Sequence, residues 1–257
     1  MARRRFFVDE VRDGSASLSG EDSRHLGQVL RAEPGQVCEL SDNRSVYLAE
    51  IETVRKDGVR FRILEELPAE EPPPRIALFL ALIKFERFEW AVEKATELGA
   101  DAIVPVETAR SEKGLERAAV KRMERWRRIA RESSQQSRRV RLPEIGAPVT
   151  LAQALEWGRT PVLQRAWTPA PLLLRYFLDE GGGAPLLGAL PEKRTAGDEV
   201  RLLVGPEGGW TDPERDCATA AGWTRVWLGP AILRAETAAV AAMAVLTGAW
   251  QHSTRST

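Results

Sequence analysis

The chain has only two cysteines, Cys38 and Cys217, and two histidines, His25 and His252. These are too few ligands for a zinc site, and two distant thiols make no disulfide framework. A reducing, cytoplasmic setting is the expectation. Net charge is missing too: 37 basic residues balance 37 acidic ones, so bulk electrostatics announce no nucleic-acid partner. Long apolar runs are also absent. The longest, Ala238 to Trp250, falls short of the roughly 20 residues of a membrane span, so no membrane partner is expected. The opening "MARRRFFVDE" carries charge with no apolar core behind it and does not read as a signal peptide. What remains, with 43% hydrophobic and 29% charged residues, is a soluble globular composition. Lysine is scarce, since 31 of the 37 basic residues are Arg. A GC-rich coding sequence explains that, and so does a need for planar forks that match phosphate oxygens.

Residues 1–67 read as mainly β. "RFFV" is a short strand, and "VYLAEIETV" and "VRFRIL" flank "RKDG", where Asp57-Gly58 supplies hairpin turn chemistry. "VRFRIL" alternates apolar Val59, Phe61 and Ile63 with Arg60 and Arg62, predicting one buried and one basic face. A short helix is expected from about Asp22 to Arg31. The stiff segment "LPAEEPPPR" places a domain boundary at 68–75. Beyond it, strands and helices alternate. "IALFLALI", "DAIVPV", "PVLQRA", "VRLLVG" and "RVWLG" are expected strands; "ERFEWAVEKATELG" and a long stretch from Leu115 to Ser137 are expected helices. Apolar strands alternating with helices predict a mostly parallel α/β sheet. Asp179 to Asp198, rich in Gly and Pro, reads as a loop.

Three features carry possible chemistry. "RLLVGPEGGW" runs a strand into a glycine-rich turn, where a ligand can approach backbone N–H groups closely. The spacing is neither the dinucleotide fingerprint nor a phosphate-binding P-loop, and a tight structural turn explains it equally well. "LGPAILRAETAAVAAM" leads from a strand end into a helix of small residues against which another backbone can pack. Glu236 suits the positive end of that helix dipole, whereas Arg234 stands against it. A surface Arg with its head in water is the bland alternative; a charge assigned to a ligand is the sharper one. Finally, Arg117 to Arg141 holds ten Lys or Arg against only Glu124 and Glu132. Such runs are usually solvated helix faces, but faces usually mix signs, so an anion such as RNA phosphate is the sharper candidate.

Taken in order along the chain, "WAVEKATELGAD", "LLVGPEGGW" and "LGPAILRAETAAVAAM" resemble the SPOUT-class methyltransferases, and specifically the RsmE family. "RRFFV" followed by "HLGQVLRAEPGQ" is similar to that family's small PUA-like RNA-binding β-barrel. The resemblance implies a PUA-like barrel over 1–67, a linker, and over 76–252 an α/β domain with a mostly parallel sheet and a C-terminal trefoil knot. It implies methylation of N3 of one uridine in 16S rRNA of the small ribosomal subunit, by a homodimer using S-adenosylmethionine and no metal. The methyl-donor pocket would comprise Leu203, Gly205, Pro206, Gly208 and Gly209 from one loop, and Leu228, Gly229, Ile232 and Leu233 from another. RNA would meet Arg4, Arg5, Arg31, Lys84, Arg110, Gln136, Arg138, Arg139 and Arg141. Arg234 is placed to stabilise the uracil anion, and Glu236 to hold Arg234 or accept a proton. Some positions depart from the family pattern. Ala231 stands for a common Arg, Ala235 for Thr, Phe85 and Arg138 for Gly, and Gln135 for Glu. These departures bear on substrate contacts, leaving open another rRNA or tRNA target, a non-catalytic RNA-binding relative, or a nucleotide-binding metabolic enzyme.

Overall fold

The computed structural model describes residues 5–24, 26–27, 31–68, 74–156 and 171–254. Arg4 and the expected strand "PVLQRA" lie outside them. The chain folds as two compact units, one of Met1–Glu71 with Glu132–Leu142, the other of Pro72–Arg131 with Pro143–Thr257.

The first unit is built from β1 (Arg5–Phe7), β2 (Val11–Arg12), β3 (Ser15–Ser19), helix α1 (Gly20–Arg24), β4 (Val37–Ser41), β5 (Val46–Arg55) and β6 (Gly58–Leu67). The strands form one mixed sheet in the order β1-β4-β5-β6-β3-β2, with only β1 and β4 parallel. Alternation works as expected in β6: Val59 and Phe61 are buried while Arg60 and Arg62 face water. The hairpin turn differs. Arg55 pairs with Gly58, so the two turn residues are Lys56 and Asp57, and Gly58 belongs to the strand. A Cβ on Gly58 would lie 3.0 Å from the carbonyl oxygen of Leu18, so this glycine allows β3 to approach. The helix expected from about Asp22 to Arg31 is met in part: α1 spans Gly20–Arg24, residues 26–27 are π-helical, and Arg31 is non-helical with φ 50°.

The second unit contains β7 (Arg75–Ala81), α2 (Phe85–Glu97), β8 (Ala102–Glu107), α3 (Leu115–Gln136), whose last residues belong to the first unit, β9 (Glu144–Ile145), β10 (Val149–Thr150) and α4 (Leu151–Leu155). β11 (Leu173–Leu178), β12 (Ala184–Pro185), a 3-10 turn (Leu186–Ala189), β13 (Glu199–Val204), α5 (Asp212–Ala220), β14 (Thr224–Trp227) and α6 (Ala235–Thr254) follow. Their strands make an all-parallel sheet in the order β10-β8-β7-β13-β11-β14-β12, with β9 also on β8. Both faces of β7 are covered: Ile76, Leu78 and Leu80 pack with α2 and α6, while Ala77 and Phe79 pack on the opposite side with Trp210 and Trp223. The run "LLRYFL", which the sequence pattern does not single out, is the interior strand β11, between β13 and β14. Its Arg175 breaks the apolar run, and donates from Nη1 to the carbonyl of Ala221 at 3.3 Å.

β14 pairs on one side with β11 and on the other with β12, so the chain from Asp179 to Asp198 passes round it. α6 then continues from β14 and packs on α2, β7, β13 and the 3-10 turn. This is the threading that a C-terminal knot requires. Ala239, Ala242, Met243 and Leu246 of α6 are completely buried, because small side chains let the helix sit close to the sheet. Its far end is tied down by Trp250, whose Nε1 donates to Asp198 at 3.1 Å, and by Thr247, which donates to the Leu98 carbonyl at 2.7 Å.

Asp179 opens the encircling loop and is the buried anchor for Arg215 of α5 and Arg225 of β14. Arg215 Nε donates to it at 2.7 Å, the Gly181 N–H donates at 3.0 Å, and Arg225 lies at ion-pair distance, 2.6 Å. Burial opposes ionisation of this carboxyl, but the Arg215 hydrogen bond, the Gly181 N–H and the two guanidinium charges outweigh it and lower its pKa. A lowered folded value contributes stability that is complete above the ordinary value of 3.8 and fades as pH falls through the folded value. Asp179→Asn is therefore expected to destabilise by about 2 kcal/mol at neutral pH and to flatten the acid limb of stability. Urea midpoints taken at neutral and acid pH check this; an unchanged acid limb would remove Asp179 as its source.

Candidate active site

Because every pair in the second sheet is parallel, all strands end on one edge. Leu80, Val204, Leu178 and Val226 stand in one register row across β7, β13, β11 and β14. β7 and β13 are neighbours, yet β7 leads through α2 to β8 on one side, and β13 leads through α5 to β14 on the other. The connections diverge there and leave a crevice, the usual ligand position in open α/β sheets.

The turn after β13 fills one wall of that crevice. Gly205 has a would-be Cβ only 2.9 Å from the indole of Trp210, a buried side chain whose Nε1 donates to the Leu178 carbonyl at 2.7 Å. Gly209 takes φ 66°, the left-handed region, and closes the turn by donating to the Pro206 carbonyl at 2.9 Å. The loop after β8 clasps this turn. Arg110 Nη1 donates to the Gly208 carbonyl at 2.5 Å, and the Ala109 N–H donates to Glu214 at 2.8 Å. Glu214 also accepts from the Thr211 N–H and hydroxyl in the capping box of α5. Arg110, expected to meet RNA, thus supports the glycine turn.

The second wall is the segment between β14 and α6. Gly229 has φ 140°, and a Cβ there would meet nothing within 4 Å. Leu228 packs on the core, while Ile232 is 86% exposed and Leu233 38%. Leu203 differs from its companions: its side chain is fully buried beside Phe79 and Phe177, leaving only its main chain for a ligand. Arg234 is exposed, and among the described residues its side chain has no hydrogen-bond or ion-pair partner. Glu236 does not hold it. That carboxylate is buried, with Oε1 3.7 Å from Arg87 Nε of α2, and its Oε2 has no hydrogen-bond partner among the described residues. Arg87 also pairs with Glu207 of the glycine turn. Lys84, exposed, sits at the N-cap of α2 with its own carbonyl accepting from Arg87 and Phe88 N–H groups.

Sequence reasoning missed Arg87, although it carries the signal used for Arg234, a cation in a first helical turn against the dipole. It also missed Glu214 and Trp210, whose roles depend on partners distant in sequence.

The remaining basic residues belong to the first unit. Arg5 donates through Nε and Nη2 to Glu39 at 3.1 and 2.8 Å, Arg138 pairs with the other oxygen of Glu39, and Arg5 also reaches the Arg138 carbonyl. These two cations therefore clamp a buried carboxylate. Arg139 donates to the Arg141 carbonyl at 3.1 Å; Arg31, Gln136 and Arg141 are exposed. Arg138 has φ 57°, so an Arg occupies a left-handed position where the family pattern has Gly. Arg138→Ala keeps that strain and loses the pair, whereas Arg138→Gly relieves it. The Gly variant is expected to be about 1 kcal/mol more stable than the Ala variant. Equal denaturation midpoints would contradict the strain.

A family model described as an RNA methyltransferase domain matches residues 70–247, and one described as an RNA methyltransferase PUA domain matches 18–64. Ribosomal RNA small subunit methyltransferase E of Mycobacterium bovis is 31% identical, over 96% of this chain and 94% of its own. The chain belongs to the ribosomal RNA small subunit methyltransferase E family. The Bacillus subtilis member is 30% identical over 90% of this chain and 89% of its own. Among solved structures, the methyltransferase E of Neisseria gonorrhoeae bound to S-adenosylmethionine has TM-score 0.82 and 28% identity, covering 97% of this chain and 98% of that one. A Legionella pneumophila methyltransferase with the same cofactor also has TM-score 0.82, at 30% identity over 97% and 98%. The second unit is thus a SPOUT methyltransferase domain with its knotted C-terminal segment, and the first is a PUA-like domain. No helix among the described residues is long and apolar enough to cross a membrane, and none of their His, Cys, Asp and Glu residues cluster as a metal site.

Proposed function

We propose that this protein transfers a methyl group from S-adenosylmethionine to N3 of a uridine in the 16S rRNA of the small ribosomal subunit. The observation that carries the reading is the convergence of the Gly205–Trp210 turn and the Leu228–Arg234 segment on one sheet edge, at the crevice between β7 and β13. Relatives named ribosomal RNA small subunit methyltransferase E, and two similar structures holding S-adenosylmethionine, support the reading as far as the enzyme class and the RNA.

The residues fit such a ligand. Ile232 and Leu233 offer apolar surface that the fold leaves exposed, as an adenine needs, and Gly229 leaves room for close backbone approach. Gly205, Pro206 and Gly209 shape the turn, Leu228 backs the second wall, and Leu203 contributes main chain. When bound, the donor supplies a methyl carbon made electrophilic by its sulfonium, chemistry that requires no metal. Loss of the N3 proton spreads negative charge over the flanking uracil carbonyls. Arg234, exposed beside the donor loop and without a side-chain partner among the described residues, stabilises that charge. The PUA-like unit, the basic residues Arg31, Lys84, Arg139 and Arg141, and the amide of Gln136 grip the RNA, while Arg5 and Arg138 build that surface by holding Glu39. A homodimer working in the cytoplasm completes the reading.

The test uses small subunits and total tRNA from cells lacking this activity, incubated with the protein and radiolabelled S-adenosylmethionine. Digestion should place the label in 3-methyluridine from the small subunit. Label in another nucleoside or in tRNA would discard the target, and no label in either pool would discard the enzyme.

A further inference from the structure

The family assignment does not explain why α6 buries a carboxylate with one oxygen unsatisfied. Glu236 is 7% exposed, and Oε2 meets no donor among the described residues. Such an oxygen is costly to leave unpaired, so it marks a place reserved for a donor that arrives with a ligand. Its location gives the donor's identity. Glu236 lies two residues beyond Arg234, in the first turn of α6, which packs on the carboxyl-edge strands β7 and β13. The other oxygen is oriented by Arg87, at 3.7 Å, and Arg87 is itself tethered to Glu207 in the glycine turn. One guanidinium thus joins three elements around the crevice: the start of α2, the turn after β13 and the start of α6.

We infer that Arg87 is a positioning residue that holds Glu236 by one oxygen, and that the free Oε2 of Glu236 takes the N3 proton of the uridine. This rests on the methyltransferase reading above. The N3–H bond breaks and its proton bonds to Oε2. The electron pair left on N3 forms the bond to the methyl carbon and displaces a neutral thioether. Arg234 steadies the uracil oxygens during that step, so the anion and the proton go to different residues. The charged groups around Glu236 are few. Arg87 of α2 is the only cation at ion-pair distance among the described residues, Glu207 lies beyond it on the turn after β13, and Arg234 is the nearest charge on its own segment.

Three variants test the assignment: Glu236→Gln, Arg87→Ala and Arg87→Lys. Each is measured for S-adenosylmethionine affinity by calorimetry and for methyl transfer to unmethylated small subunits, from about pH 6 to about pH 10. Glu236→Gln should lower kcat about 100-fold near neutrality, the scale of one general base. The deficit should narrow as pH rises, because uridine then loses its N3 proton to solvent without help. Arg87→Ala should show a smaller deficit, about 10-fold, with the same narrowing, and Arg87→Lys should recover most of it. Donor affinity should stay within about threefold in all three. A deficit that is flat with pH, or a donor affinity that falls in step with kcat, would overturn the assignment and make the bridge structural. A wild-type protein that labels no uridine N3 would overturn the underlying reading, and this one with it, before any variant is compared.

Discussion

Arg234→Ala is expected to slow methyl transfer about 100- to 1000-fold while leaving S-adenosylmethionine affinity nearly unchanged. The magnitude is that of removing one preorganised charge from the site where an anion develops. The structure makes this substitution unusually clean to interpret. Arg234 is exposed, its side chain has no partner among the described residues, and only its carbonyl, which a variant keeps, is used to start α6. The fold therefore loses no side-chain hydrogen bond or ion pair among the described residues, and a lost rate is not a lost structure. Single-turnover transfer to unmethylated small subunits, alongside donor calorimetry, checks it. Wild-type turnover in the variant would end the electrostatic role of Arg234.

Gly205→Ala should act on the fold and the donor together. The added methyl would stand 2.9 Å from Trp210 Cε2 and 3.0 Å from its Nε1. That indole cannot retreat cheaply, since it is buried and donates to the Leu178 carbonyl at 2.7 Å. Overpacking and the strained hydrogen bond together amount to about 3 kcal/mol. For a chain of this size that lowers Tm by roughly 10 °C. The turn from Pro206 to Gly209 hangs on the same indole, so donor affinity should fall at least about 10-fold. Gly208→Ala is the control: its Cβ would meet only the Arg110 side chain, Cδ at 3.3 Å and Cβ at 3.4 Å, looser contacts than those at Gly205, and it should lower Tm far less. Thermal melts with and without S-adenosylmethionine separate the two. Equal melting temperatures for the two variants would show that the Gly205–Trp210 contact relaxes freely.

Local pattern was enough wherever a residue's role depends on its near neighbours in the chain. The alternation of Val59, Phe61 and Ile63 and the apolar run of β7 followed from local pattern, and all are buried or partly buried as expected. The same holds for the glycine turn after β13 and the small-residue helix α6, because the chemistry of close backbone approach is written in residue size. Pattern failed where a distant partner decides. Arg175 interrupts the apolar run of β11, and its partner, the carbonyl of Ala221 at the end of α5, lies far away in the chain. Gly58 looked like a turn residue, but its reason is the backbone of β3.

The sequence by itself determined the class of the protein: its motifs, their order and their residue sizes specify the parallel sheet, the ligand turns and the basic charge. Only the tertiary structure decided how the charges are used. Arg5 and Arg138, expected to meet RNA, hold Glu39 between them, and Arg110 donates to carbonyls on the glycine turn. Arg87 gained its role, and Glu236 its unpaired oxygen, from strands that meet at one edge although their residues lie far apart in the chain. The reason is physical. Periodicity records which face of an element is buried, whereas the pairing of a charge is set by whatever other elements the fold brings within a few ångströms of it.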